Sequence, residues 1–224
     1  MKTADIAAYW DEVFAQEKAC RVTDPSCGHA GLDRALTWLC TPGGSLLDFG
    51  CGNGVLLLKC ALRGMKLVLG IDASPVAARL AGDFLVENDV EGKVLCGDTA
   101  ALEALPPGAW DAAILSNILD NLPPEESLRA LHAVHRALRP GGRVLLKLNA
   151  YLTAEQREAW GVRIIAGDLL DDGLLLWNLT SDCWAEMLDP LFAIEAFETI
   201  EYPEHEQTNR LFRLIKREEA HANP

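Results

Sequence analysis

Three glycines at alternate positions, Gly50-Cys51-Gly52-Asn53-Gly54, follow directly on Ser45-Leu46-Leu47-Asp48-Phe49. Leu46 to Phe49 has the length and apolar character of a buried strand, and Val55 to Leu62 is long and apolar enough to be a helix packed on a sheet. A strand, a glycine turn and a helix start commit this stretch to a βα unit with its ligand site at the carboxyl end of a parallel strand. Glycine suits such a turn because the backbone reverses tightly and leaves no Cβ between itself and a ligand.

The spacing narrows the ligand. A dinucleotide loop needs G-x-G-x-x-G, and here Val55 stands where the pattern would continue after Gly54. A phosphate-binding P-loop needs Gly-Lys-Ser/Thr, and the turn holds no Lys or Arg. Asp48 instead places a carboxylate two residues before the first glycine, which repels a pyrophosphate and suits a cation. The run Asp48-x-Gly50-x-Gly52-x-Gly54 resembles motif I of the class I S-adenosylmethionine-dependent methyltransferases.

The chain continues in the same vein. Met65 to Asp72 reads as a second buried strand ending in an acid, 24 residues after Asp48. Dinucleotide folds place an acid about 20 residues beyond the glycines to accept from both ribose hydroxyls, and a ribose is common to both cofactors. Ser74-Pro75 opens a helix, with Pro75 at its first turn. Lys93 to Cys96 is a third strand. Gly97-Asp98-Thr99 resembles the family's adenine contact, and Asp98 as a helix N-cap is compatible with that role. Trp110 to Asn117 is a fourth strand with Asp111 as a structural residue near its start. Pro124 to Leu138 is a helix, and Leu138-Arg139-Pro140-Gly141-Gly142 followed by an apolar strand is a further family-like run.

The resemblance covers about residues 45–149. It implies a three-layer α/β/α sandwich around a Rossmann-like, seven-stranded, mostly parallel sheet whose last strand is antiparallel. It implies S-adenosylmethionine as cofactor and S-adenosylhomocysteine as product. The cofactor-binding set is then Asp48, Gly50, Cys51, Gly52, Gly54, Asp72, Ala73, Asp98, Thr99, Ser116, Asn117 and Trp10. Trp10 belongs to an aromatic-rich helix over residues 4–19, which in such enzymes often folds over the cofactor; an amphipathic helix packed on the core is the other reading. Neither a base-methylating N-P-P-Y nor D-P-P-Y run follows the fourth strand, so Ser116 and Asn117 are expected to shape the pocket.

Beyond Asn149 the pattern is less standard. Residues 153–161 suggest a short helix, and Val162 to Asn178 a hairpin turning at Asp171-Asp172-Gly173. Two further strands follow, Leu191 to Ile200 and Asn209 to Lys216. One domain is expected over 1–224, with a helical lid at 1–40, a cofactor-binding core at 45–149 and an acceptor-pocket insert at 150–190. Trp177, Asn178 and Trp184 are pocket candidates, core packing being the alternative. No catalytic residue is singled out; His29, His205, Asp182 and Tyr9 are the side chains that uncertain regions offer as bases, while His132 and His135 read as surface or packed histidines.

A net charge of −13 and no basic cluster beyond Arg213 to Arg217 disfavour a nucleic-acid partner. The acceptor is expected to be a small molecule, or a protein side chain, methylated on oxygen or nitrogen. Seven irregularly spaced cysteines fit reduced thiols in the cytoplasm. Cys20, Cys27 and His29 lack a second ligand cluster, so no metal is expected. No h-region follows Met1, and no apolar run reaches membrane-spanning length. The competing functions are a non-catalytic S-adenosylmethionine-binding module, aminopropyl transfer with the same cofactor, and an NAD-dependent oxidoreductase. Aminopropyl transfer is disfavoured by the lack of an acidic run around the end of the fourth strand, and the oxidoreductase by Val55, while the binding module stays open to a methyl-transfer assay.

Overall fold

The computed structural model describes residues 3–202 and 207–217. The elements in order are α1 (Thr3–Phe14), α2 (Ala30–Leu39), β1 (Ser45–Phe49), α3 (Val55–Leu62), β2 (Leu67–Asp72), α4 (Pro75–Glu87), β3 (Gly92–Cys96), α5 (Thr99–Glu103) and β4 (Trp110–Ser116). A 3-10 turn (Leu119–Asn121) leads to α6 (Pro124–Ala137), β5 (Leu138–Leu148), α7 (Ala154–Ala159), β6 (Arg163–Ala166), β7 (Leu169–Asp171), β8 (Leu175–Trp177), α8 (Ser181–Leu188), β9 (Phe192–Tyr202) and β10 (Gln207–Lys216).

Seven strands form one sheet in the order β3-β2-β1-β4-β5-β10-β9. Neighbours pair in parallel from β3 to β5, and β10 alone is reversed, antiparallel to both β5 and β9. The expected sheet, with its last strand antiparallel, is therefore present. Alternation of side chains explains its two cores. Leu47, Ala113, Leu115, Val144 and Leu146 pack with α6 and α8 on one face. Leu46, Ala112, Ile114 and Leu145 pack with α2 and α3 on the other. Strands buried on both faces read as unbroken apolar runs, which is why β1 and β4 stand out in the sequence.

Three expectations about elements need correcting. The first helix ends at Phe14 instead of Ala19, because its apolar stripe stops there and Ala15 to Lys18 offers nothing further to bury. The hairpin over 162–178 is a three-stranded antiparallel sheet, β6-β7-β8. Gly167, with φ +54°, makes a turn that splits the first arm into β6 and β7. Third, β5 begins at Leu138 rather than after the Gly-Gly pair, with a register break against β4 that the left-handed Gly141 absorbs.

Candidate active site

The carboxyl ends of β1, β2 and β4 and the loop after β3 converge on a cavity of about 250 Å3. Eleven of the twelve expected residues line it: Trp10, Asp48, Gly50, Cys51, Gly52, Asp72, Ala73, Asp98, Thr99, Ser116 and Asn117. Gly54 does not. It has φ +77°, and a Cβ there would sit 2.7 Å from Ala81 Cβ, so Gly54 lets α3 approach α4. Gly52 faces the cavity, with Phe14 of α1 across it.

The two acids of the strand ends differ sharply. Asp72 accepts from Gly52 N at 2.8 Å and from Ser74 N at 2.9 Å, one hydrogen bond per oxygen. Its carboxylate is thus fixed in orientation with lone pairs to spare. Burial pushes its pKa up, and the two amide N–H groups pull it back. Asp48 is 1 % exposed, and neither oxygen has a hydrogen-bond partner. Burial, with Asp72 nearby, pushes its pKa up to about 8. A buried carboxyl without a partner is costly, and a cation in the cavity would supply what it lacks.

Asp98 accepts from Ala100 N at 2.9 Å and caps α5, so its cap role is present, and the residue also lines the cavity. Asn117 stands in the left-handed region, φ +51°, which Asn tolerates. Its amide donates to Asn149 Oδ1 at 2.8 Å, Asn149 donates to Asn121 Oδ1 at 3.0 Å, and Asn121 donates to Leu175 O at 2.7 Å. Asp120, fully buried, accepts from Asn149 N at 2.7 Å. Burial pushes its pKa up to about 6. This network ties the exits of β4 and β5 to the small sheet. Sequence reasoning missed it, and missed Ile6, Phe14, Ile118 and Glu126 in the cavity wall. The clustering of Asn117, Asp120 and Asn121 beyond one strand was its faint signal.

Helix α1 covers the cavity with Ile6, Ala7, Trp10 and Phe14, and Trp10 stacks on Phe14 with ring centroids 5.6 Å apart. Asp11 docks the helix on α4, accepting from Ser74 Oγ and from Val76 N at 3.1 Å.

Of the offered bases, His29 is a cap. Its Nδ1 accepts from Gly31 N and Leu32 N, and its Nε2 lies 3.2 Å from Glu201 O, which assigns the proton to Nε2 and occupies both nitrogens. Tyr9 and Asp182 do not line this cavity, and His205 lies outside the described residues. Trp184 is fully buried against Trp177, and Asn178 bonds both backbone groups of Leu152, so these three are packing and pinning residues. Asp111 is structural as expected, receiving Ser45 N and Oγ at 2.8 Å each.

Comparison with known proteins agrees with this geometry. A family model described as a methyltransferase domain matches residues 46–142. Over residues 46–142 the chain is thus similar to a methyltransferase domain. The chain is 32 % identical over 141 residues to 27-O-demethylrifamycin SV methyltransferase of Amycolatopsis mediterranei, covering 62 % of this chain and 48 % of that protein. It is 36 % identical over 117 residues to the ubiquinone biosynthesis O-methyltransferase of Chromobacterium violaceum, covering 50 % and 49 %. The chain spans about half the length of these curated relatives. An S-adenosylmethionine-dependent methyltransferase of Methanosarcina mazei superposes with a TM-score of 0.71 at 21 % identity, over 82 % of this chain and 97 % of that one. Among the described residues no helix is long and apolar enough to cross a membrane, and no three His, Cys, Asp or Glu side chains converge as a metal site.

Proposed function

We propose that the protein transfers a methyl group from S-adenosylmethionine to a small-molecule acceptor. The observation that carries this reading is Asp48, a buried carboxylate in the cavity wall with both oxygens unpartnered. When bound, the cofactor supplies a methyl group already activated by a sulfonium. Asp48 would meet its positively charged methionine portion, Asp72 would accept from the ribose hydroxyls, and Asp98 with the Thr99 N–H would meet the adenine edge. Trp10 and Phe14, carried on α1, would cover the site and exclude water.

Since the donor is activated, the protein's work is chiefly alignment, which supplies up to ~7–11 kcal/mol when reacting groups are held in line. Asn117, fixed through Asn149 and Asn121, is built for such positioning. A small acceptor is supported by the names of the two relatives, a 27-O-demethylrifamycin SV methyltransferase and a ubiquinone biosynthesis O-methyltransferase, and by the acidic charge, which disfavours nucleic acid. Residues 150–190 would then serve as the acceptor-pocket insert. A cytoplasmic location is supported by cysteine usage, all seven thiols being unpaired.

Calorimetry with S-adenosylhomocysteine and NAD, followed by tritiated-methyl transfer into a metabolite panel, tests the reading. Binding of NAD but not S-adenosylhomocysteine would sink it. Tight cofactor binding with no labelled product would leave a binding module in its place.

A further inference from the structure

A second cleft, of about 1080 Å3, opens beside the cofactor cavity, and Trp10, Asn117 and Asn121 line both. Its rim carries exposed Tyr151, Trp160 and Phe197. Two cationic side chains line it, Lys147 and Arg210. Arg210 is committed to structure: Nε donates to Asn149 O at 2.8 Å and Nη1 to Leu179 O at 2.7 Å.

Lys147 is not committed in this way. Its backbone sits at the mouth of the cofactor site, its carbonyl accepting from Asn117 N at 2.7 Å and its strand position pairing with Ser116. Its Nζ lies 5.7 Å from the centroid of the Tyr202 ring, and no ion pair joins it to another of the described residues. The groups that face it are Tyr202 from β9, Cys27 from the loop before α2, and Asp120 from the 3-10 turn, the last already held by Asn149 and near Arg210. Burial lowers the Lys147 pKa, against the opposing pull of Asp120 and Cys27. The one carboxylate lining the cleft wall among the described residues is Asp172, on the turn between β7 and β8.

We propose that this cleft takes a bulky, planar aromatic acceptor bearing an acidic hydroxyl, and that Lys147 receives the hydroxyl proton and holds the resulting oxyanion. The inference rests on the methyl-transfer reading of the adjoining cavity. The O–H bond breaks, an N–H bond forms at Lys147 Nζ, and the oxygen keeps the electron pair. The proton is taken up by the unprotonated form of Lys147, and the step ends in an ammonium–oxyanion pair that satisfies both partners. The aromatic rim fits a planar ring system, and the lack of a committed counter-ion on Lys147 among the described residues fits an acidic hydroxyl.

The test needs no methyl donor. Alizarin, a tricyclic dihydroxy compound whose colour reports ionisation, is titrated with the protein across pH, with 9,10-anthraquinone as the control lacking a hydroxyl. The wild-type protein should ionise bound alizarin at lower pH than in solution and bind anthraquinone about tenfold or more weakly, the loss expected for one charged hydrogen bond. Lys147→Met should lose the ionisation shift and weaken alizarin by a similar factor, and Lys147→Arg should restore binding. S-adenosylhomocysteine affinity, measured on the same samples, should stay within about twofold in both variants. An unchanged shift in Lys147→Met, or no shift in the wild type, overturns the assignment; if Lys147→Met does not fold, the wild-type titration and Lys147→Arg decide. Failure of the wild type to bind S-adenosylhomocysteine would overturn the methyl-transfer reading instead, and the alizarin titration reads Lys147 independently of it.

Discussion

Asp48 and Asp72 end neighbouring parallel strands, yet Asp72 holds two backbone N–H groups while both oxygens of Asp48 have no partner. One carboxylate is prearranged and the other is waiting for charge. The difference gives the site its most direct tests.

The Asp48 carboxyl has a folded pKa of about 8 against an ordinary 3.8. The ligand-free folded state therefore holds a proton that the unfolded chain has released between these values. Its relative stability is greatest below the ordinary value and falls as pH rises through about 8. Asp48→Asn should flatten this slope and raise Tm at pH 9 without ligand. The same variant should bind S-adenosylhomocysteine at least tenfold more weakly, having lost a charged hydrogen bond. Wild-type binding should release a proton near pH 7.5, visible as a buffer-dependent calorimetric enthalpy. No such dependence would mean that Asp48 does not meet the cation.

Asp72→Ala should weaken S-adenosylhomocysteine by about 1.5–3 kcal/mol. It should also destabilise the ligand-free protein by about 1–3 kcal/mol, because Gly52 N and Ser74 N lose their acceptor. An unchanged dissociation constant refutes the ribose role. Urea denaturation reads the second effect separately.

Gly54→Ala should destabilise by about 2–4 kcal/mol, from a left-handed φ and overpacking against Ala81. Gly52→Ala meets Phe14 at 3.3 Å, so its larger effect should fall on cofactor affinity. Equal losses of stability in the two variants would contradict this division of labour.

Asp11→Ala removes the acceptor that docks α1 on the start of α4. Hydrogen exchange in residues 3–14 should then accelerate several-fold, as expected for a loss of about 1 kcal/mol. Bound S-adenosylhomocysteine should suppress that acceleration if Trp10 and Phe14 rest on the cofactor. Identical exchange with and without ligand would argue that α1 is a packing element alone.

The cofactor half was readable because each signal there is local. Asp48, the glycines and Asp72 lie within one βαβ span, where chain geometry fixes how near they come in space. The order of the strands and the reversal of β10 came with the family resemblance, since periodicity says nothing of pairing partners. The polar network of Asn117, Asp120, Asn121 and Asn149 draws on two strand exits and a remote sheet, so no sequence window contains it. His29 illustrates the opposite error: a histidine free of context reads as a base, and a helix start converts it into a cap. Gly167 hid a strand break inside an apolar-looking arm, and Lys147 drew no notice because a lysine in a strand is ordinary until its neighbours exclude water.

Trp10, Asn117 and Asn121 form a party wall between the two cavities. Two ligands resting on the same wall exchange free energy through it, and thermodynamic reciprocity requires the exchange to be equal in both directions. A compound that belongs in the larger cleft will therefore announce itself by altering the dissociation constant of S-adenosylhomocysteine next door. A library of candidate acceptors becomes sortable by equilibrium titration of the product cofactor, before any turnover has been seen.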